Sequence, residues 1–240
     1  MTDLLIYSFL IVVVAWIGGI VPLFFRKNPF VIHLFISFGA GILLGAAFLH
    51  MIPDASEYIG SRLGLPILLG FLTLYIFEKF IMTHPCPADE CEFHTVGLSA
   101  FIGLSIHSLI TGLALGSGVM IPRLGFIVFL AIVLHKLPAS LSLSSLLVKE
   151  KYSMKAIFLI LFFFSLMVPT GAFITFFLLQ HSPENLTTIG FLISFSAGTF
   201  LHVAADDLIP EVHRHFHYRK TRLVIFLAGI AVMWIVKFLE

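Results

Sequence analysis

The chain has 240 residues, 59% of them hydrophobic and only 11% charged, with a mean hydropathy of +1.07. A water-soluble domain carries about 25% charged residues, so this composition excludes one and makes lipid the natural solvent. A formal net charge of +1 offers no basic face to nucleic acid, and two cysteines cannot build a disulfide framework.

A helix needs about 20 apolar residues to cross a bilayer core. Eight segments reach that length, roughly 4–25, 30–52, 64–83, 95–118, 124–148, 155–179, 187–209 and 222–239. The first lacks a basic flank and exceeds a signal-peptide core, so it reads as a retained span. The runs are continuously apolar and not alternating, which favours helices over a barrel. The polar breaks, at 26–29, 53–62, 84–94, 122–123, 149–151, 181–184 and 212–221, are too short for a second domain. Residues 1–240 therefore read as a single all-α transmembrane domain.

Orientation follows the Lys and Arg positions. With the amino terminus outside, the inner face holds Arg26, Lys27, Lys149, Lys151, Lys155, Arg214, Arg219, Lys220 and Arg222. The outer face holds only Arg62, Arg123 and Lys237. Both termini are expected outside.

Segments two and seven repeat each other at an offset of 157 residues. Ile36–Gly41 (ISFGAG) matches Ile193–Gly198 (ISFSAG), and Met51–Asp54 (MIPD) matches Leu208–Glu211 (LIPE). An even and an odd span run in opposite directions, so the repeat is inverted, a ground plan of secondary transporters. The expected arrangement is 3+2+3, with spans four and five at the centre. It sets His50 opposite Asp207.

Ionisable groups at membrane depth are costly and mark function. Span two ends in His50. Span four has His107 near its midpoint, with Ser108 and Thr111 after it; span five has His135, followed by Lys136. Span seven carries His202, Asp206 and Asp207. His107 with Thr111, and His202 with Asp206, are four apart and share a helix face. Neutral imidazole and carboxylate both suit zinc and similar divalent ions, so two mid-membrane His on consecutive helices point to an ion pathway. Lys136 beside that site would repel a cation as an ammonium, so it is expected to be deprotonated by desolvation, to be held aside by hydroxyl and carbonyl groups, or to stand in for a second bound ion.

These residues resemble the ZIP (zinc/iron-regulated transporter-like) family. The stretch His107–Gly116 (HSLITGLALG) is similar to the family's HNxxDGxAxG, and His135–Ser140 (HKLPAS) to its HExPEG, in the branch reading HKxPA. Phe195–Ala204 (FSAGTFLHVA), followed by Pro210 and Glu211, resembles FSAGTFLYVA…PE. The resemblance covers the whole chain. Where the family pattern has Asn, Asp, Glu and Glu, this chain has Ser108, Thr111, Lys136 and Ala139, and Val168 precedes Pro169 where many members place a Glu. The resemblance thus implies one loosely held ion on His107 and His135, with Thr111 and Ser108 as weak oxygen donors. It places His50 at an outer mouth and Asp207, with Asp206, on an inner exit path. Zinc is the implied cargo, with iron or manganese behind it, and no cofactor is implied. The lipid bilayer is the surrounding partner, and a homodimer is compatible with such a chain.

One further metal candidate lies in the loop His84–His94 (HPCPADECEFH), where His84, Cys86, Cys91 and His94 could make a tetrahedral zinc site. Two other functions compete with transport. An intramembrane zinc hydrolase would need a base beside the central His, yet no HExxH occurs. A metal-sensing receptor that has lost transport would fit the missing carboxylates.

Overall fold

The structure is a computed structural model and describes residues 1–81, 95–119, 122–178, 186–213 and 218–238. The loop candidates His84, Cys86, Cys91 and His94 lie outside the described residues. Every regular element among the described residues is helical: α1 (Thr2–Phe24), α2 (Pro29–Ala46), α3 (Ile52–Ile59), α4 (Gly64–Ile76), α5 (Thr95–Gly118), α6 (Pro122–Lys149), α7 (Met154–Leu178), α8 (Leu186–His202), α9 (Ile209–His213) and α10 (Arg219–Lys237). Among these residues five stretches are long and apolar enough to cross a membrane, one of them the 51-residue run Pro29–Lys79.

That run corrects one expected break. Residues 53–62 are not a polar loop, because α3 continues the helix to Ile59. Pro53 stands in the first turn of α3, directly after the Ala47–Met51 π turn, where the regular hydrogen-bond ladder is already interrupted. The chain turns only at Gly60, whose φ of +55° favours glycine. Likewise Pro122 opens α6 where a break was expected. The start of α2 is signalled locally: Asn28 accepts from the Val31 N–H, and Pro29 follows as the first helical residue.

Three wide π turns interrupt these rods: Ala47–Met51 between α2 and α3, Phe77–Ile81 after α4, and Val203–Leu208 between α8 and α9. Each contains ionisable side chains, His50 in the first, Glu78 and Lys79 in the second, and Asp206 and Asp207 in the third. Such turns re-aim side chains off the regular helical faces and concentrate at functional sites.

Packing divides the helices into two sets. In one, α1 lies along α6 and α7, and α5 along α6 and α7; in the other, α2 lies along α10 and α4 along α8. Glycine allows the closest approaches in the second set. Gly41 of α2 abuts the Phe226 carbonyl of α10, and Gly229 of α10 abuts the Phe38 carbonyl of α2. Gly198 of α8 abuts the Ile67 carbonyl of α4, and Gly70 of α4 abuts the Phe195 carbonyl of α8. A Cβ at any of the four would overlap backbone, so only glycine allows the helices this close. The sets meet mainly where α2 lies on α6 and α5 on α8. Outward faces carry large apolar side chains such as Phe9, Leu65, Phe126, Leu159 and Trp234, as a lipid-facing surface requires.

Candidate metal sites

The central site forms where α5 and α6 meet. The His107 and His135 rings are T-shaped to each other with centroids 5.4 Å apart. His107 is shielded by Phe200 of α8, whose ring centroid is 4.3 Å from its own. His107 Nδ1 lies 3.0 Å from Ser196 Oγ of α8, while its Nε2 is buried without a hydrogen-bond partner among the described residues. With the proton on Nδ1 donated to Ser196, Nε2 presents a lone pair beside His135. A second ring nitrogen fixed by a hydrogen bond is how ligating imidazoles are held in orientation.

The three residues expected around this pair are placed differently from one another. Thr111 turns its hydroxyl back along α5, donating to the His107 and Ser108 carbonyls at 2.9 and 3.1 Å. Ser108 Oγ accepts from the Lys136 ammonium at 2.8 Å. Lys136 is 1% exposed; it also donates to the Phe164 carbonyl at 3.2 Å and sits 3.4 Å from the centroid of the Phe164 ring. The ammonium is thus solvated by a hydroxyl, a carbonyl and a π face between α5 and α7.

A second group forms at the end of α4 and α8. Glu78, His202, Asp206 and Asp207 each offer one ligand atom, all within 4.8 Å of one another. His202 Nε2 lies 2.9 Å from Glu78 Oε2, and its ring stands edge-on to Phe71 and Tyr75. His202 is fully buried. Both acid-bearing segments are π turns, which bring consecutive Asp206 and Asp207 together toward Glu78. Sequence reasoning gathered His202, Asp206 and Asp207 but missed Glu78. The signal was present, since Glu78 is the one carboxylate in the 64–83 segment; what it lacked was a partner visible at short range.

His50 stands on the first π turn, with Nε2 2.8 Å from the Met233 carbonyl of α10. Ser196 and His202 connect the two sites: both stand on α8, six residues and so about 9 Å apart along the axis.

Two histidines at the centre and a His–carboxylate group at one end match the donor chemistry of divalent-metal carriers. The sequence profile described as ZIP Zinc transporter matches residues 2–87 and 87–237. The chain belongs to the ZIP zinc transporter family. As a ZIP protein with several apolar helices it is an integral, multi-pass membrane protein. It is similar to zinc transporter ZIP9-B of Xenopus laevis, 28% identical over 92% of this chain and 89% of that protein. It is similar to zinc transporter ZupT of Chlorobium chlorochromatii (strain CaD3), 26% identical over 97% of each chain. Fe(2+) transport protein 1 of Arabidopsis thaliana is 24% identical over 84% of this chain and 73% of that protein. All three of these relatives are named for metal transport.

Proposed function

We propose that this ZIP chain carries a divalent metal ion, zinc first and iron or manganese behind it, across the membrane toward the cytoplasm. The observation that carries the reading is the His107–His135 pair at the α5–α6 contact, in which the buried His107 keeps an Nε2 without a hydrogen-bond partner among the described residues. The ion rests there and leaves past α8 toward the His202 group. Residues 1–240 act as one transport domain of the HKxPA branch, with no catalytic step.

The proposed architecture has eight crossings, both termini outside, and an inverted 3+2+3 repeat. The glycine contacts support it. Phe38 and Gly41 correspond to Phe195 and Gly198 at an offset of 157, and Ile67 and Gly70 to Phe226 and Gly229 at an offset of 159. The contact of α2 with α10 is therefore repeated, residue for residue, by that of α8 with α4. The π turns Ala47–Met51 and Val203–Leu208 fall at the same place in both halves.

Alternating access arises when the set bearing the His pair (α1, α5, α6, α7) shifts against the set bearing the His202 group (α2, α4, α8, α10). Small side chains line the boundary, where Gly39 of α2 meets Ser142 of α6. Zinc entry into proteoliposomes loaded with a zinc dye tests the reading: flux falls in both His107→Ala and His135→Ala. Unchanged flux in the two variants overturns the site.

A further inference from the structure

Lys79 stands at the mouth of the His202 group. Its ammonium lies 2.8 Å from Glu78 Oε1 and 3.3 Å from Asp206 Oδ2. The group is graded in exposure: the Lys79 and Asp206 side chains are 45% and 39% exposed, that of Glu78 5% and that of His202 0%. It opens at one end and closes at the other. At the closed end, two atoms of nearly or fully buried side chains, Asp207 Oδ2 and His202 Nδ1, have no hydrogen-bond partner among the described residues. A cluster serving only to hold an ion pair has no reason to leave such atoms bare, because unsatisfied buried polar atoms are costly.

We infer that Glu78, His202, Asp206 and Asp207 form a second divalent-cation site, and that Lys79 is its built-in competitor. The ammonium lies on Glu78 and Asp206 when the ion is absent and swings to solvent when the ion arrives. Three carboxylates and an imidazole are a suitable donor set for zinc-like ions. Metal–ligand bonds of about 2.0–2.2 Å place tetrahedral donors roughly 3.5 Å apart, so small side-chain rotations close this group around one ion.

The lysine acts on release. An ion leaving three adjacent carboxylates abandons mutually repelling charges, and a returning ammonium neutralises part of that repulsion. Each state of the site then has a counter-charge. Lysine suits the role better than arginine, being a compact point charge on a flexible stem that makes no bidentate clamp. The consequence is a weaker but faster site at the end where the ion departs. This inference rests on the transport reading for its meaning, but its test reads binding alone.

The experiment is a Co2+ titration of the full-length protein in nanodiscs, followed by the visible absorption of tetrahedral Co2+. The parent is compared with Lys79→Met, Lys79→Arg, and Lys79→Met combined with Asp207→Asn, each checked by thermal melting for an intact fold. Lys79→Met is expected to bind Co2+ about tenfold more tightly, the loss of one unit charge at contact distance in a screened setting. Lys79→Arg is expected to stay close to the parent, and Asp207→Asn to abolish the gain. Equal affinity in the parent and Lys79→Met overturns the proposal, and so does a gain that survives Asp207→Asn. Absent flux alongside the expected Co2+ shift would remove the transport reading and leave this site standing.

Discussion

The Lys136 ammonium donates to the Ser108 hydroxyl across the α5–α6 contact at 2.8 Å. The pairing ties down the oxygen nearest His107 in sequence and holds the Lys136 Nζ beside Ser108, the residue next to His107. A carbonyl and the face of Phe164 complete its shell. A site with room for one ion, the ammonium standing in for a second, is the reading this packing invites, and it is open to test.

Removing that charge has a measurable consequence. Lys136→Met keeps most of the buried volume and deletes the ammonium, so divalent-ion affinity at the histidine pair is expected to rise by about tenfold. Equilibrium titration with Cd2+ in a Lys79 parent background measures it. An affinity equal to the parent's would show that the ammonium does not act on the ion.

Ser196 orients His107 from a neighbouring helix at 3.0 Å. Losing such a partner typically costs about 10–100-fold in metal affinity. Ser196→Ala is therefore expected to raise the substrate concentration needed for half-maximal flux while the protein still folds, with Ser196→Thr restoring most of it. A flux curve in Ser196→Ala superimposable on the parent's would dismiss the orienting role.

Glycine at the α2–α10 and α8–α4 crossings leaves no room for a side chain. Gly41→Leu and Gly198→Leu are each expected to destabilise the protein by about 1–3 kcal/mol, the range for overpacking. Thermal melts in detergent read the effect. Under the proposed inverted repeat the two contacts are equivalent, so the two losses should be similar, and a large asymmetry would argue against the repeat.

The Lys237–Asp54 bridge at 3.1 Å behaves differently. Its side chains are 40% and 44% exposed, and an exposed ion pair contributes about 0–1 kcal/mol. Lys237→Ala is expected to leave melting temperature and flux nearly unchanged. A drop comparable to that of Gly41→Leu would mean that the bridge ties α3 to α10 more firmly than its exposure allows.

The sequence by itself determined the solvent, the helical class and the central histidines. Those are local or compositional properties: apolar run length sets a helix in lipid, and an ionisable residue within such a run is conspicuous wherever it packs. His107 and His135 were legible for that reason, and so were His202, Asp206 and Asp207. The sequence did not disclose that residues 53–59 stay helical, since a proline followed by acids is compatible with either a break or a first helical turn. Nor did it disclose Glu78, which acquires meaning only when the π turn after α4 meets the one after α8, 124 residues away from Glu78 at His202. Tertiary structure alone decided where each polar group points. It gave Ser108 to Lys136, Ser196 to His107, and Lys79 to Glu78 and Asp206. Hydrogen-bond partners across helices depend on crossing register and rotation, which are set by glycine contacts and π turns distributed along the chain and not by the residues they bring together.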